Sequence, residues 1–380
     1  MSKTRAVPGL LKRINEREVL ETIRAGAPIS RAEISRRAGI SKPTVSLALQ
    51  SLLEAGLVRE AERGPDGPGY GAVYFEPMAE AALVLGLDLG ARFVRGAVCD
   101  LAGTIRARQD VELAVADAAG ATDAISRLRG SLLDAAGLNP ALVDGVVVGV
   151  PGVVEGDGTL SLAENVAGLE GRPFARELQA ALELPVTLEN DINLAALGEQ
   201  WQGVARGVAD FVFLSVGTGM GAGLVLGGEL HRGRHGAAGE IDFALVGLGE
   251  TVDPSAPQVS ALASELAGLR ADPRAVFGAA RNGDRNARAV VDEVARRIAL
   301  HVAPIAAVVD VELVVLGGGI GANGDLLLDP VARLLAEWLP FPPRVEVSTL
   351  GEAAVLTGAV AVGLHDALEN VFTKRAAVPA

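Results

Sequence analysis

The sequence predicts an α/β protein in which a small helical N-terminal domain precedes a two-lobed body. Residues 30–56 show two short amphipathic helices around a turn, and two short apolar strands follow them. A pattern of strand, glycine turn and strand begins at residue 83 and returns near residue 211, as expected for two lobes built on one plan. Hydrophobic residues make up 49% of the chain and aromatic residues only 3%, which favours a core of Ala, Val and Leu in repeated strand and turn units.

Length and composition limit the remaining possibilities. With 380 residues the chain exceeds one ordinary domain, so two or three packed units are expected. Cys99 is the single cysteine, which excludes a disulfide within the chain and a multi-cysteine metal site, and agrees with a reducing cytoplasm. We find neither a signal peptide nor an apolar run long enough for a membrane span. We therefore expect a cytoplasmic protein without a membrane partner.

The net charge of −13 argues against nucleic acid as a partner of the whole surface. The first 78 residues differ, because they carry 12 Lys and Arg against 9 Asp and Glu. Salt confines the field of each charge to about 8 Å, so a mildly basic domain can still bind phosphates beside an acidic body. The acidic body, in turn, discourages non-specific contact with nucleic acid.

The helix pair in residues 30–56 is a candidate DNA reader. Residues 31–37 form the first predicted helix with Ile34 facing inward, and Gly39 supplies the positive φ that the turn needs. Ser41 is placed to cap the second helix, and Pro43 lies in its first turn, where a missing N–H costs little. A helical hairpin of this kind also occurs outside DNA-binding proteins, so the motif alone leaves both interpretations open.

The second helix separates an apolar face from a polar one. Val45, Leu49, Leu52 and Leu53 recur at helical spacing and are expected to face a core. Leu47 and several small polar side chains are expected on the opposite surface, which suits entry into a DNA major groove. The DNA-contacting residues predicted on this basis, together with one from the wing described next, are Arg31, Ser41, Lys42, Thr44, Ser46 and Arg63.

The flanking segments favour the DNA-binding interpretation. Upstream, Val19, Leu20 and Ile23 give a helix the apolar face that a three-helix core requires. Downstream, residues 57–60 and 72–75 are short apolar strands joined by a Gly- and Pro-rich tip that contains Arg63, which indicates a β-hairpin wing. Residues 1–78 are therefore predicted to form a winged helix-turn-helix domain.

The body is predicted to be strand-rich in both halves, with long helices between and after the strands. The predicted strands are residues 83–90, 93–100, 104–113, 143–150, 185–188, 211–216, 222–226, 229–230, 312–316 and 345–349. The predicted helices are residues 121–136, 194–201, 287–308 and 353–368.

The glycine-rich loop at residues 217–221 is a candidate phosphate cradle, because successive glycines let backbone N–H groups approach an anion closely. Its glycines are Gly217, Gly219 and Gly221, and Thr218 adds a hydroxyl. A P-loop would need a following lysine, and a dinucleotide fingerprint would need a following helix, so both fail. What remains is a hairpin loop between two strands, which resembles the arrangement in the actin and hexokinase superfamily and implies its ribonuclease H-like ATPase fold. A plain tight hairpin stays open as the alternative.

Polar side chains also follow the predicted strand at residues 185–188. A carboxylate at the carboxyl end of a strand in an α/β sheet points into the crevice where ligands bind. Asp191 is therefore a candidate general base or sugar ligand, and Asn190 a candidate partner for a neighbouring hydroxyl. The alternative is that both residues only cap the helix that follows, and the two roles are compatible.

Several segments together resemble the ROK family (repressors, open reading frames and sugar kinases), and the resemblance covers nearly the whole chain. They are SKPTVS at the start of the recognition helix, YFEP at the end of the wing, END followed by N-x-A-A-L-G-E, and GTGMG. The resemblance implies that Asp191 is the residue such kinases use as base. It further implies a sugar site and two more nucleotide loops, whose matching residues are Asn165, Asn190, Glu240 and Glu250 for sugar, and Asp88, Gly90, Arg92, Gly317, Gly318 and Gly319 for nucleotide.

Two departures from the family pattern bear on function. Ala91 and Arg92 stand where the family's first phosphate loop has Gly and Thr, and Arg92 is expected either to clamp an anion or to fill the nucleotide cleft. Phe243 stands where the family has a histidine that binds sugar and zinc, and the cysteines of the zinc module are missing. We therefore expect that the protein binds no metal and uses no cofactor, ATP included. We also expect the Phe243 side chain to be buried where the zinc-binding histidine of the family would lie.

These observations predict three parts: residues 1–78 as the DNA-binding domain, 79–190 as the first lobe with helix 353–373 packing back on it, and 191–352 as the second lobe. The predicted function is that of a sugar-sensing transcriptional repressor that binds an inverted-repeat operator as a homodimer or homotetramer. An ATP-dependent sugar kinase with a DNA-binding domain is the alternative from another class. A repressor whose effector is not a sugar is the third.

Overall fold

The computed structural model describes residues 8–62, 72–163, 166–244, 253–268 and 272–376. It confirms the predicted fold class, a winged helix-turn-helix domain followed by a body of two α/β lobes. In the N-terminal domain, called the reader from here on, the elements are α1 (Pro8–Gly26), β1 (Ile29–Ser30), α2 (Arg31–Ala38), α3 (Lys42–Glu54), β2 (Val58–Glu60) and β3 (Tyr74–Pro77).

The helix boundaries in the reader follow from capping side chains. Ser30 caps α2 by accepting a bond from Glu33 N–H, and Ser41 caps α3 by accepting one from Thr44 N–H. Gly39 ends α2 in the left-handed region, with φ 66°, which is the positive φ that the sequence predicted for this turn. The wing strands pair antiparallel, and β1 adds a third strand on the other edge of β3, which the sequence did not predict because two residues carry no periodicity.

One prediction for the core of the reader is wrong. Val45, Leu49 and Leu52 are buried as expected, but Leu53 is 37% exposed and Ala48 is buried instead. Residues 45, 48, 49 and 52 form one stripe at three- and four-residue spacing, and position 53 lies one step further around the helix. Leu47, predicted to lie on the outer face, is 67% exposed.

The first lobe is built on a five-stranded sheet in the order β10-β7-β4-β5-β6. Its elements are β4 (Leu83–Leu89), β5 (Phe93–Asp100), β6 (Ile105–Glu112), α4 (Ala118–Ala136), β7 (Val143–Val150), β8 (Val153–Val154), β9 (Leu160–Ser161), α5 (Phe174–Leu182) and β10 (Val186–Asn190). Strand β4 pairs antiparallel with β5 and parallel with β7.

The second lobe repeats this plan with the order β13-β12-β11-β14-β15, in which β11 pairs antiparallel with β12 and parallel with β14. Its elements are α6 (Asp191–Gln202), β11 (Phe211–Val216), β12 (Met220–Leu226), β13 (Glu229–Leu230), α7 (Ala256–Ala267), α8 (Pro273–Arg281), α9 (Arg285–Val309), β14 (Leu313–Gly317), α10 (Gly318–Gly321), α11 (Gly324–Trp338) and β15 (Arg344–Val347). The common topology explains the repeated strand pattern of the sequence.

The last helix, α12 (Ala354–Ala376), returns to the first lobe and packs on β4, β7 and α6. Glycines allow the close approach: a Cβ added at Gly86 would lie 2.8 Å from Val360 Cγ2, and one at Gly358 would lie 1.8 Å from the carbonyl oxygen of Leu194. Backbone therefore meets backbone between α6 and α12, with no layer of side chains between them. No helix of the described ranges is both long and apolar enough to cross a bilayer.

The reader does not stand apart from the body. Buried apolar side chains of the reader and of the outer face of the first lobe form one cluster, called the shared core from here on. Its members from α1 are Val19, Leu20 and Ile23, those from the first lobe are Ala82, Val84, Ala97, Cys99 and Leu101, and those from α12 are Leu356, Val360, Leu364, Ala367 and Leu368. A contiguous core of this kind positions the reader on the lobe without relying on a linker.

Candidate functional site

A cavity of about 870 Å³ opens between the two lobes, within the size range of small-molecule sites. Its floor is formed by the end of β10, the start of α6 and the glycine loop between β11 and β12. The lining residues are Pro151, Gly152, Leu162, Asn190, Asp191, Ile192, Ser215, Gly217, Thr218, Gly219, Met220, Glu240, Asp242, Ala256, Asp272, Pro273, Arg274, Phe277, Arg281, Gly318, Gly319, Ile320 and Asn323. The cavity thus unites the predicted sugar residues Asn190, Asp191 and Glu240 with two of the predicted glycine loops.

Asn190 is held at the N-terminus of α6 by two hydrogen bonds. Its Oδ1 accepts a bond from Asn193 N–H at 3.0 Å, which caps the helix, and its Nδ2 donates to the carbonyl oxygen of Gly152 at 3.0 Å. The capping role considered from the sequence is therefore present. One amide hydrogen of Nδ2 is not used by these two bonds, so Asn190 retains a donor for a hydroxyl in the cavity.

Asp191 is the first residue of α6, although the sequence placed the start of the helix at residue 194. Its Oδ1 accepts a bond from Ile192 N–H at 2.8 Å. Burial, together with the charges of Asp88 and Glu240, raises the pKa of Asp191 to about 7. A carboxylate with a pKa near neutrality can accept hydrogen bonds from sugar hydroxyls and can also take a proton from one of them.

Glu240 faces the same cavity, and burial followed by the charge of Asp242 raises its pKa. Asp242, which the sequence did not identify, places its Oδ2 3.4 Å from Met220 N at the glycine loop. Burial is also the main cause of its raised pKa. A negative side chain at the backbone N–H groups of a phosphate cradle opposes a bound phosphate there.

Not every glycine of the predicted loops faces the cavity. Gly217, Gly219, Gly318 and Gly319 line it together with Thr218, whereas Gly221 and Gly317 do not. A Cβ at Gly221 would lie 2.4 Å from Ile192 Cδ1, and one at Gly317 would lie 2.3 Å from the Phe213 ring. These two glycines are required for close packing of α6 and β14 against β12 and β11.

The first phosphate loop departs most from expectation. Asp88, Gly90 and Arg92 do not line the cavity. Asp88 is buried and accepts a bond from Arg95 Nη1 at 3.2 Å, and its pKa is nevertheless raised, with burial as the largest cause. Arg92 is exposed and lies over the ring of Phe93 at 5.6 Å. In this structure the Arg92 side chain therefore lies outside the cavity lining, over the ring of the first residue of β5.

The prediction that Phe243 is buried is wrong, since its side chain is 69% exposed at the end of the short turn Ile241–Phe243. The residues present do not fit the zinc that the family pattern implies. Phe243 offers no ligand atom, Cys99 is buried in the first lobe, and the described ranges hold no group of three His, Cys, Asp or Glu able to bind a metal ion. Asn165 and Glu250, the other two predicted sugar residues, lie outside the described residues.

An ion pair that the sequence did not predict joins the two lobes beside Asp191. Glu189 on β10 is 5% exposed and its Oε2 accepts a bond from Arg232 Nε at 2.6 Å. The other carboxylate oxygen accepts bonds from Asn190 N–H and from Asn193 Nδ2. Arg232 lies in the loop between β13 and Glu240. Glu189 precedes the Asn-Asp pair in the sequence, which marked it as polar, but nothing local marked Arg232 as its partner.

The predicted DNA-contacting residues of the reader lie at the start of its two central helices. Arg31, Ser41 and Lys42 are exposed, and Thr44 and Ser46 are half-buried. The Ser41 and Thr44 hydroxyls lie 2.8 Å apart, and Ser46 Oγ donates to the carbonyl oxygen of Lys42 at 2.9 Å. The serine hydroxyls are therefore partly used within the helix, whereas the Lys42 ammonium faces solvent. Arg63 lies outside the described residues.

Known proteins share both parts of this architecture. The ROK family model matches residues 84–252 and 255–366, and a model described as winged helix-turn-helix DNA-binding matches residues 12–59. A xylose repressor of Caldicellulosiruptor bescii is 28% identical over 94% of this chain and 97% of its own length. A glucokinase of Thermotoga maritima is 32% identical over 57% of this chain and 78% of its own length.

Two solved structures have the same fold. A ROK family transcriptional regulator, described as a homolog of the E. coli MLC protein, has a TM-score of 0.78 and 23% identity, and covers 96% of this chain and 99% of that chain. A ROK hexokinase from Thermus thermophilus has a TM-score of 0.64 and 28% identity, and covers 75% of this chain and 99% of that chain. The hexokinase corresponds in extent to the body alone, and the regulator to reader and body together. This chain belongs to the ROK family.

Proposed function

We propose that the protein is a DNA-binding transcriptional repressor whose body senses a monosaccharide or a close derivative. The observation that carries the proposal is that one chain holds both an exposed recognition helix, in a domain packed on the first lobe, and a carboxylate-lined cavity between the lobes. The full-length similarity to proteins named xylose repressors supports it. The reader binds operator DNA, and the occupancy of the cavity changes how strongly it binds.

The chemistry of the cavity favours a ligand with several hydroxyl groups. Asp191 and Glu240 offer acceptor oxygens from separate segments of the cavity wall, and Asn190 offers an amide donor beside them. Pairs of carboxylate oxygens and amides recognise adjacent hydroxyls through charge-assisted bonds. Because relatives are named for xylose and for glucose, D-xylose and D-glucose are the first ligands to test. If no aldose binds, the result would indicate that the effector is not a sugar.

The protein acts in the cytoplasm as a dimer or tetramer on an inverted repeat. Winged helix-turn-helix readers contact one half-site each, and two-fold symmetry of the protein is matched by two-fold symmetry of the operator. We further propose that it works without zinc and without ATP. The exposed Phe243 and the carboxylate of Asp242 at the glycine loop support these two points.

The alternative is a sugar kinase that carries a DNA-binding domain, and the pKa of Asp191 near 7 favours it. Phosphoryl transfer, however, requires the γ-phosphate to be held in line with the attacking oxygen. Asp242 opposes a phosphate at the second loop, and Asp88 is paired with Arg95 rather than facing the cavity. A carboxylate that accepts bonds from hydroxyls serves a receptor as well as an enzyme.

A thermal-shift panel separates the candidate functions. Purified protein is melted with D-xylose, D-glucose, other aldoses and their phosphates, each with and without Mg-ATP, and ADP formation is followed in parallel. A sugar at a hundred times its Kd adds about 2.7 kcal/mol to the free energy of unfolding. We expect stabilisation by a free sugar and no effect of Mg-ATP. ADP release at ordinary kinase rates, ~1 to 100 per second, would establish the enzyme instead.

A further inference from the structure

Helix α6 begins at the candidate sugar site and ends beside the shared core. Its N-terminal end carries Asn190 as cap and Asp191 as first residue. Twelve residues at 1.5 Å per residue make it about 18 Å long. Trp201, in its last turn, is half-buried and packs against the shared core. One helix therefore spans the distance from the ligand cavity to the surface that holds the DNA-binding domain.

At its far end, α6 lies beside a turn of the first lobe that α1 of the reader also contacts. Around Gly103, in the turn after β5, Trp201 Cζ2 lies 3.7 Å and Arg24 Nη2 lies 3.8 Å from the position that a Cβ would take. Arg24 Nε donates to the carbonyl oxygen of Leu101 at 2.7 Å, and Arg24 Nη1 pairs with Glu21 at 2.9 Å. The Arg24 side chain is only 10% exposed. Trp201 and Arg24 thus both border the turn at Gly103 of the first lobe.

The helix is coupled along its length to α12, which also contacts the reader. A Cβ at Gly198 would lie 2.3 Å from the carbonyl oxygen of Ala354, just as one at Gly358 would meet that of Leu194. A backbone contact this close leaves no soft side chains to absorb a shift, because packed interiors resist deformation. Arg17 of α1 in turn donates to His365 Nδ1 on α12 at 2.6 Å. The two helices are therefore packed tightly together, and α12 also contacts the reader.

We propose that α6 transmits occupancy of the sugar site to the reader, with Trp201 as the positioning residue at the junction. This inference rests on the proposed function. A sugar that contacts Asp191 at the start of α6 and Glu240 in the loop after β13 changes the position of α6 relative to the first lobe. Trp201 and α12 carry the change to α1 through the shared core. Trp201 itself touches neither sugar nor DNA.

The test measures coupling, which is the ratio of operator Kd values with and without sugar. The operator is a DNA fragment selected by the wild-type protein from a random-sequence pool, and the sugar probe is D-xylose or D-glucose, whichever stabilises the protein. Operator affinity is measured by fluorescence anisotropy and sugar affinity by calorimetry. The variants are Trp201→Ala, Trp201→Phe and, as matched control, Trp338→Ala. Trp338 is the chain's other tryptophan and lies on α11 of the second lobe.

We expect the wild-type coupling to fall in the usual range, about 5- to 150-fold. Trp201→Ala should bring it below about 2-fold while each separate affinity changes by less than about 3-fold. Trp201→Phe should retain most of the coupling because an aromatic ring is preserved, and Trp338→Ala should match wild type. Wild-type coupling in Trp201→Ala would overturn the proposal. If the wild-type protein binds no sugar or no DNA, the proposed function has failed instead.

A fluorescence measurement keeps the proposal testable even if Trp201→Ala does not fold. In Trp338→Phe, Trp201 is the single tryptophan, so its emission reports the junction alone. Saturating sugar should shift the emission maximum or intensity of Trp201, with a midpoint at the calorimetric Kd. An emission spectrum that sugar leaves unchanged, in a protein that binds sugar and responds to it on DNA, would rule out transmission through this residue.

Discussion

At the scale of single residues, the buried carboxyl group of Asp191 lowers the stability of the fold when it is ionised. Burial and the nearby charges of Asp88 and Glu240 raise its pKa from an ordinary 3.8 to about 7. The folded protein therefore holds a proton that the unfolded chain releases between these two values. Stability falls as the pH rises through this window, since the unfolded state binds fewer protons there than the folded state. Ionised Asp191 costs stability and offers acceptor oxygens to a sugar.

This linkage predicts opposite effects of pH on sugar affinity and on stability. Sugar affinity should rise as the pH passes from about 6 to about 8, because the ionised carboxylate is the better acceptor.

Asp191→Asn should weaken sugar binding by about 10- to 150-fold, the equivalent of a charge-assisted hydrogen bond of about 1.5 to 3 kcal/mol. The same variant should melt higher than wild type near pH 8. Calorimetry and thermal melts across this pH range provide the check, and equal melting temperatures at the alkaline end would contradict it.

Arg232 is predicted to position Glu240 relative to Asp191. Arg232→Ala removes the guanidinium that bridges the lobes to the buried carboxylate of Glu189, so the two halves of the site no longer have a fixed spacing. Sugar affinity should drop several-fold, with unchanged operator affinity in the absence of sugar. Arg232→Lys should restore part of the affinity because the charge remains while the bond geometry does not. A double-mutant cycle with Glu189→Gln tests the pair, and additive effects would show that the two residues act separately.

At the scale of elements, α3 presents its N-terminal turn as the DNA-facing end. Ser41 uses its hydroxyl for the cap, and Ser46 donates to the carbonyl of Lys42. Lys42 is therefore the clearest candidate for a phosphate contact in this turn. Leu47, 67% exposed in the middle of the helix, is placed for apolar contact with a base, as a thymine methyl group requires.

Replacing Lys42 tests the orientation of this helix. Lys42→Ala should weaken operator binding. The slope of log affinity against log salt concentration should also become less steep, by about 0.9 for each phosphate that the protein no longer neutralises. Lys12→Ala removes the same charge from α1, where Lys12 pairs with Glu16, and serves as the control. Affinity is measured by anisotropy between about 50 and 200 mM salt. A salt slope that stays at the wild-type value in Lys42→Ala would exclude a phosphate contact by this residue.

At the scale of the whole molecule, the shared core makes reader and body interdependent. The sequence predicted two separate domains, with the body beginning at residue 79. In the structure, the side chains of Ala82, Val84, Cys99 and Leu101 are buried in the shared core, to which the reader and α12 both contribute. Removing the reader would expose an apolar surface on the first lobe, and such surfaces favour association.

Deleting residues 1–78 should therefore do more than abolish DNA binding. We expect the remaining body to melt several degrees lower than the full chain and to form concentration-dependent assemblies. Calorimetric melts and light scattering at several protein concentrations provide the measurement. Substitution of Lys42, which leaves the core intact, supplies a full-length control without the apolar exposure. A truncated body as stable and as disperse as the intact protein would show that the shared core contributes little.

Local chemistry made much of this structure predictable. Capping serines, the glycine at position 39 and the spacing of Val45, Leu49 and Leu52 depend only on neighbours a few residues away. The strands at the start of each lobe agree closely with the predicted ranges, for example Phe93–Asp100 and Phe211–Val216, because two-residue alternation and glycine turns are local patterns as well. Several amphipathic helices, α5, α8 and α11 among them, were missed amid the many alanines and leucines of the body.

The sequence by itself determined the order of the parts, the fold class and the identity of Asp191, Asn190 and Glu240 as candidates. Only the tertiary structure decided which groups meet. Glu189 and Arg232 are 43 positions apart, and Arg17 and His365 are 348 positions apart, distances at which no local periodicity carries information. The same reason explains the exposed Phe243, the carboxylate of Asp242 on the glycine loop and the contact of Trp201 with the shared core. Each depends on how separate elements pack, which is settled by the summed burial and bonding of the entire chain.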